Sequence, residues 1–313
     1  MARFERALLH VRNRTLLERL RWGWQQQAER RRQRARQKKA EWWEAQRGQR
    51  ECFETNIQRC VRMRLYFDSQ LSKLIYCKDF EWQERKFLNA FLRPGDTYVD
   101  VGANLGLFTL IAALRVGKAG RVYAFEPCSQ AYRRLVANVK LNHASVVCHQ
   151  LALGDCISRL SMNIALDGFD AWNSFASPID GSSFSVEEVD CVTWDSFAQE
   201  HDLVGRVTMM KIDVEGWETR VLAGAWSSLS RPDAPVLQVE FTQRAAQSAG
   251  SSCRGLYRLL QKLGYQMFIY DAKSGQLLPE PLRENYPHLN LIAAKQPQHV
   301  LARLANRRPW YWP

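Results

Sequence analysis

The sequence contains no run approaching the roughly 18 to 20 apolar residues that a membrane-spanning helix requires, and its first residues lack the uninterrupted apolar core of a secretory signal. Both absences point to a cytoplasmic protein. Cysteine is present without a pattern: Cys52, Cys60, Cys77, Cys128, Cys148, Cys156, Cys191 and Cys253 form no C-x-x-C pair and no His/Cys cluster, which argues against a zinc site and against a disulfide framework. Histidine is scarce. His143 and His149 flank a strand and His201 and His288 fall in loops, so all four read as surface or packing positions, with only His149 near enough to reach a cleft.

Basic charge is abundant but unevenly placed. Residues 1–50 hold 15 Lys/Arg against 5 Asp/Glu, which accounts for ten of the twelve net positive charges and leaves the rest of the chain nearly neutral. Arg3 to Arg50 has no Pro and only Gly23 and Gly48, a composition that favours helix, while Gln25 to Lys39 has almost no apolar stripe. The expectation is a basic helical arm over 1–50, solvated or in contact with a protein. Nucleic acid and an anionic membrane surface are the alternative partners, with Trp22, Trp24, Trp42 and Trp43 as interfacial anchors and a peripheral membrane location as the corollary.

Beyond the arm, residues 51–95 read as a helical leader that covers the core, with a helix from Phe80 to Leu92 closed by Pro94-Gly95. Residues 96–296 alternate strand-like and helix-like segments. Strands are expected near 97–101, 121–125, 146–151, 207–212, 235–241, 266–271 and 290–295, with helices near 106–116, 129–142, 217–229 and 254–263, a rhythm that demands a mainly parallel sheet with right-handed crossovers. An insertion at about 156–203 breaks it, with short strands at Arg159 to Ala165 and Ser185 to Val192 around a Gly/Ser/Asp/Asn-rich stretch and a helix from Thr193 to Glu200. Residues 297–313 form a basic, aromatic tail.

The densest signal is Asp100-Val101-Gly102-Ala103-Asn104-Leu105-Gly106, between a β-branched run and the apolar run Leu107 to Leu114. A strand that breaks at glycines and re-forms as a helix presents unpaired N–H groups to a ligand, and the acid at its end can hold a hydroxyl or amine. A dinucleotide turn wants G-x-G-x-x-G, whereas Asn104 stands where the middle glycine would let a pyrophosphate approach. About 20 residues on, Glu126 ends the next strand and suits the ribose of either NAD or S-adenosylmethionine.

Four further segments discriminate between these cofactors. With Asp100 to Thr109 and Phe125-Glu126-Pro127, the segments Leu141-Asn142, Gly154-Asp155, Lys211 to Glu218 and Val221 to Ala225 resemble, in order, the landmarks of the FkbM family of S-adenosylmethionine-dependent methyltransferases. The resemblance implies an α/β fold of the Rossmann-like class I type: a seven-stranded, mainly parallel sheet whose last strand is an antiparallel insert, with helices on both faces. It implies S-adenosylmethionine as cofactor, held by Asp100, Gly102, Asn104 and Gly106 at the methionine end, Glu126 at the ribose and Asp155 at the adenine amine. Each acid also has a structural reading, as a helix cap, a loop acid or a turn residue.

Methyl transfer needs the methyl group, the acceptor and a base held in one geometry. Lys211, Asp213 and Glu215 stand at the expected methyl position. Strand alternation puts Lys211 and Asp213 on one side, and Asp213, then Glu215, are the candidates for orienting or deprotonating the acceptor. A structural Lys211–Asp213 ion pair is the alternative. Glu240 faces the same rim. Asp170, Trp172 and Asn173 in the insertion combine a flat ring with short polar side chains, as sugar recognition requires. Asp213, Glu215 and Glu240 could together hold a divalent ion, but no dedicated ligand set is spelled out, and no metal is expected.

The function expected is O-methylation of a hydroxyl on a sugar, glycolipid or natural product. Two rivals remain: a non-catalytic adaptor working through the arm, and a nucleic-acid methyltransferase recruited by it. The intact acids weigh against the first. Asp213-Val214-Glu215-Gly216, in place of a base-gripping N-P-P-(Y/F) tetrapeptide, weighs against the second.

Overall fold

The computed structural model describes residues 16–58, 60–77, 80–165, 175 and 184–306. The chain opens with helix α1 (Leu16–Gln46), then a hairpin of β1 (Cys52–Gln58) and β2 (Val61–Tyr66), helices α2 (Gln70–Cys77) and α3 (Trp82–Phe91), and the first core strand β3 (Thr97–Val101). It continues through α4 (Leu107–Val116), β4 (Arg121–Phe125), α5 (Ser129–Leu141), β5 (Val147–His149), β6 (Ala152–Leu153), β7 (Ser158–Ala165), β8 (Phe184–Val192) and α6 (Trp194–Glu200). The second half holds β9 (Met209–Ile212), α7 (Glu218–Ala223), α8 (Trp226–Ser230), β10 (Val236–Phe241), α9 (Gln243–Ser248) and α10 (Cys253–Lys262). It ends with β11 (Gln266–Asp271), β12 (Gln276–Pro279), β13 (Leu289–Ala294) and α11 (Pro297–Ala305). Among the described residues no helix is long and apolar enough to cross a membrane.

The main sheet has the order β12-β11-β13-β10-β9-β3-β4-β5. Strands β5, β4, β3, β9 and β10 are parallel, and β13 runs antiparallel to both β10 and β11. The sheet is therefore mixed and has eight strands rather than the seven expected, because β12 adds an antiparallel edge to β11. The strand anticipated over 146–151 is shortened to β5, and just after it β6 pairs with β8 in a three-stranded side sheet with β7. The helix expected over 217–229 is two helices, since Gly224 lies against the Gly154 carbonyl, where an added Cβ would approach to 1.8 Å. That close approach locks the Gly154-Asp155 and Val221-to-Ala225 landmarks together.

Central strands are covered on both faces, which is why all five residues of β3 are buried. Val99, Val101, Met210, Ile212, Leu237 and Val239 pack into one core; Tyr98, Ala124, Met209 and Ile292 pack into another with residues of α3, α4 and the hairpin. The leader is thus part hairpin rather than wholly helical. It is bound to the core by α5: Asn138 Oδ1 accepts from the Arg64 N–H at 2.7 Å and Asn142 Oδ1 from the Arg62 N–H at 2.9 Å, so two asparagines extend the open edge of β2. Asn138 Nδ2 also donates to the Leu105 carbonyl at 3.0 Å, tying the hairpin to the glycine turn.

The arm does not end free at residue 50. Trp43 is 1% exposed and sits against Phe53, Phe67 and Tyr76, and Lys39 Nζ donates to the Tyr76 carbonyl at 2.7 Å. Aromatic burial overrides the charge pattern there, so among the described residues the solvated part of the arm is the helix before Lys39, where 27–38 are exposed. In the tail, α11 packs Val300 and Leu304 into the core. Trp43→Ala should therefore cost about 3 to 5 kcal/mol, read as a lowered urea midpoint, while deletion of residues 1–38 should leave the midpoint in place. A Trp43→Ala midpoint equal to the parent's would remove the helix end from the core.

Candidate functional site

Strands β3, β4 and β5 wind one way from the sheet centre and β9 and β10 the other, so the direction reverses between β3 and β9. Open α/β sheets bind ligands at that reversal, beyond the carboxyl ends of the strands. A cleft of about 760 Å³ lies there, and Asp100, Gly102, Asn104, Glu126, Lys211, Asp213 and Glu215 all line it. The register explains the convergence: Asp100 stands opposite Lys211, and Lys211 opposite Gln238, in one row across the sheet. Gly102 lets the two loops meet, because at φ 81° it has no Cβ, which would lie 1.9 Å from the Asp213 carbonyl oxygen.

The glycine turn is shaped for a ligand. Asn104 adopts φ 47°, the left-handed region in which Asn is tolerated. Its N–H donates to Glu126 Oε2 at 2.8 Å, and the Cys128 N–H donates to Glu126 Oε1 at 3.0 Å, which fixes the Glu126 carboxyl at the mouth of the turn. Asp100 is 1% exposed. Thr109 Oγ1 donates to its Oδ2 at 2.5 Å, while its Oδ1 meets no donor among the described residues. Burial pushes the Asp100 pKa up, against the opposing pull of Lys211 and the Thr109 hydroxyl. Gly106, at φ 88°, starts α4 just behind the cleft and does not line it.

Opposite stand the acids of β9 and β10. Lys211 Nζ lies 2.5 Å from Asp213 Oδ2 and 4.7 Å from the Phe108 ring centroid. Burial would depress this ammonium, but Asp213, Glu81 and Asp100 surround it and the net direction is upward, so it remains a cation. Glu215, in a left-handed conformation at φ 52°, is driven well above the usual carboxylate range by burial and by Glu240 and Asp213. Glu240 is raised by burial and Asp213, against the pull of His288 and Thr242. Oxygens of Asp213, Glu215 and Glu240 fall within 4.8 Å of one another, so the fold does assemble the trio that could face a cation, although one Asp213 oxygen already faces Lys211. Glu218 holds this loop in place, its Oε1 accepting from the Val214 and Gly216 N–H groups at 3.1 and 3.2 Å.

Other expected positions lie elsewhere. Asp155 does not line the cleft; its Oδ2 sits 2.5 Å from Arg220 Nη1. Glu240 does not line the cleft, although one of its oxygens lies within 4.8 Å of oxygens of Asp213 and Glu215. Asp170, Trp172 and Asn173 fall outside the described residues. Two residues given no role by the sequence are present at the site. Glu81 was expected inside a helix but precedes it at φ 41°, close enough to Lys211 and Asp213 to be shifted by both. His288, expected as a surface residue, has Nδ1 3.4 Å from Glu240 Oε1 and is raised to about 9 by that hydrogen bond. Nothing in their spacing announces either one, because only the tertiary approach of α3 and β13 brings them in.

Residues 100–267, more than half of the chain, match the family described as the methyltransferase FkbM domain. The chain belongs to that family. S-adenosylmethionine is the cofactor of FkbM methyltransferases, and the cleft fits it: Asp100 Oδ1 meets no donor among the described residues, and the Glu126 carboxyl is held at the cleft by two backbone N–H groups. The chain is 31% identical over 148 residues to "Methyltransferase 1" of Beauveria bassiana, covering 42% of this chain and 59% of that protein. It is 28% identical over 212 residues to the AMB antimetabolite synthetase AmbE of Pseudomonas aeruginosa, covering 57% of this chain and 10% of that one. The chain thus spans less than two thirds of either relative. Among solved structures, the methyltransferase FkbM of Methylobacillus flagellatus aligns at 17% identity with a TM-score of 0.38, over 71% of this chain and 54% of that one.

Buried carboxyls give the site a pH signature. Glu81 and Glu218 are both raised from 4.5 to about 8, chiefly by burial, so the folded state holds their protons more tightly than the unfolded chain does. Their contribution is fully present below about pH 4.5 and is lost as pH rises through 8, and His288, raised from 6.5 to about 9, acts with the same sign. Urea midpoints should fall from pH 5 to pH 9, and Glu218→Gln, which keeps an oxygen for both N–H groups, should flatten the fall. Midpoints that rise over this range would contradict the assignment.

Proposed function

We propose that this protein is an S-adenosylmethionine-dependent O-methyltransferase acting on a hydroxyl of a sugar, glycolipid or related natural product. The observation that carries this reading is the convergence of Asp100, Glu126 and Asp213 on one cleft at the sheet reversal. A scaffold would have no use for a glycine turn, a fixed carboxyl and a buried Lys–Asp pair facing the same space. When bound, S-adenosylmethionine would supply a methyl group for in-line transfer to the acceptor oxygen, the O–C bond forming as the C–S bond breaks and its electron pair stays on sulfur.

Each residue has a distinct task. Glu126, held by two backbone N–H groups, accepts from the ribose hydroxyls, and Asp100 Oδ1 with the turn from Gly102 to Gly106 binds the methionine end. Asp155, tied to Arg220 outside the cleft, would reach the adenine amine only by exchanging that partner. Lys211 fixes the Asp213 carboxyl, which orients the acceptor hydroxyl. Glu215, which lines the cleft beside Asp213, takes the hydroxyl proton.

Three readouts test this. Incubation with methyl-labelled S-adenosylmethionine and fractionated cell extract should label a hydroxylated small molecule or glycan; label confined to nucleic acid would favour the rival acceptor, and no label in any fraction would favour the adaptor. Calorimetry should show Glu126→Ala binding S-adenosylhomocysteine about 10- to 150-fold more weakly, as expected for loss of a charge-assisted hydrogen bond. On the labelled acceptor, Glu215→Gln should lower kcat by about 10²- to 10⁴-fold with cofactor affinity retained. Parental turnover in that variant would remove Glu215 as the base.

A further inference from the structure

Helix α1 keeps residues 27–38 exposed, although Lys39 and Trp43 just beyond them are tied to α2 and the hairpin. Twelve consecutive exposed residues make more than three helical turns, so among the described residues no element covers any face of this stretch. Six of the twelve are cations: Arg30, Arg31, Arg32, Arg34, Arg36 and Lys38. They do not gather on one side. Arg30, Arg34 and Lys38 follow at a spacing of four and form one face, with Arg31 beside it, whereas Arg32 and Arg36 stand on the opposite face. Like charges four apart repel along a helix, so the stretch carries a cost that a polyanion removes. No residue of α1 is among those lining the cofactor cleft, so what this stretch binds is a function separate from methyl transfer.

The arrangement selects among anions. A helix lying on an anionic bilayer buries an apolar face, and 27–38 holds only Gln, Ala and Glu besides its cations. Single-stranded nucleic acid is held on aromatic platforms, and the stretch has no aromatic residue. Its linear charge matches a duplex: six cations over about 12 Å of helix come to one per about 2 Å, against one phosphate charge per about 1.7 Å of duplex axis. Five of the six are Arg, whose planar fork pairs with phosphate through two hydrogen bonds. Cations on opposite faces call for phosphates on both sides at once, which a groove provides and a plane does not. The B-form major groove, about 12 Å wide, admits a helix about 10 to 12 Å across, while the A-form major groove of duplex RNA is deep and narrow. We propose that residues 27–38 of α1 are a DNA-binding helix that lies in the major groove of a duplex, with Arg30, Arg34 and Lys38 on the phosphates of one flank and Arg32 and Arg36 on those of the other. These contacts are to the backbone, so binding is independent of base sequence.

The test titrates the full chain against a fluorescent DNA duplex of about 20 base pairs and follows anisotropy between about 50 and 200 mM KCl. The expected result is an association constant whose logarithm falls against that of the salt concentration with a slope of about −4 to −5. The triple variant Arg30→Gln/Arg34→Gln/Lys38→Gln and the double variant Arg32→Gln/Arg36→Gln should each weaken binding by about tenfold or more and flatten the slope by about two to three. Gln is a good helix former, so both variants should keep the parental urea midpoint. Deletion of residues 1–38, which leaves Trp43 in place, should abolish binding. No duplex binding, a loss in only one of the two face variants, or equal or tighter binding to duplex RNA of the same sequence, to polyglutamate or to vesicles containing phosphatidylserine would overturn the groove assignment.

Discussion

Lys211 is a buried ammonium enclosed by three carboxyls, Asp213, Glu81 and Asp100, and the geometry of the whole rim depends on it. Without that cation, a row of acids at the ends of β3, β9 and β10 would repel one another in a poorly solvated layer. Removing one member of a buried charge pair typically costs about 3 to 5 kcal/mol because the other is left uncompensated. The arrangement is thus weak as a source of stability and strong as a source of position. It holds Asp213 by its Oδ2 at 2.5 Å and leaves Glu215 and Glu240 with raised affinities for protons. Such a layer suits the proton transfer proposed for Asp213 and Glu215.

The surrounding fold supports this layer from three directions. The turn from Gly102 to Gly106 is pinned to β4 through Glu126 and to α5 through Asn138, so ribose and methionine contacts would be set by the same few hydrogen bonds that close the core. The loop after β9 is pinned by Glu218. Helix α3, added ahead of the sheet, brings Glu81 at its start within electrostatic reach of Lys211 and Asp213. The appended elements therefore shape the site rather than merely flank it.

How much of this could be read from residues alone follows from the range of each signal. The cofactor turn, Glu126 and the Lys211–Asp213 pair are local: strand alternation and a break at glycine are enough to place them. The Leu141-Asn142 and Gly154-Asp155 landmarks were legible as words but not as structure, because Asn142 acts on β2, 80 positions away in the chain, and Gly154 packs on Gly224. Asp155 could not be told from a cleft residue, since its Arg220 partner is set by helix packing. Trp43 was read with the basic arm because charge dominates its neighbourhood, whereas its aromatic partners arrive from the hairpin and α2. Glu81 and His288 gave no sequence signal at all; each becomes a site residue through contacts between elements distant in the chain.

The central claim is that one cleft, between the glycine turn and the Lys211–Asp213 pair, holds the cofactor with its reactive end toward the acids. The most direct measurement is a crystal structure of the chain with S-adenosylhomocysteine bound. Ribose hydroxyls are expected within hydrogen-bonding distance of Glu126, and the sulfur on the side of Asp213 and Glu215. Ribose bound away from Glu126, or a sulfur directed away from that acidic rim, would contradict it.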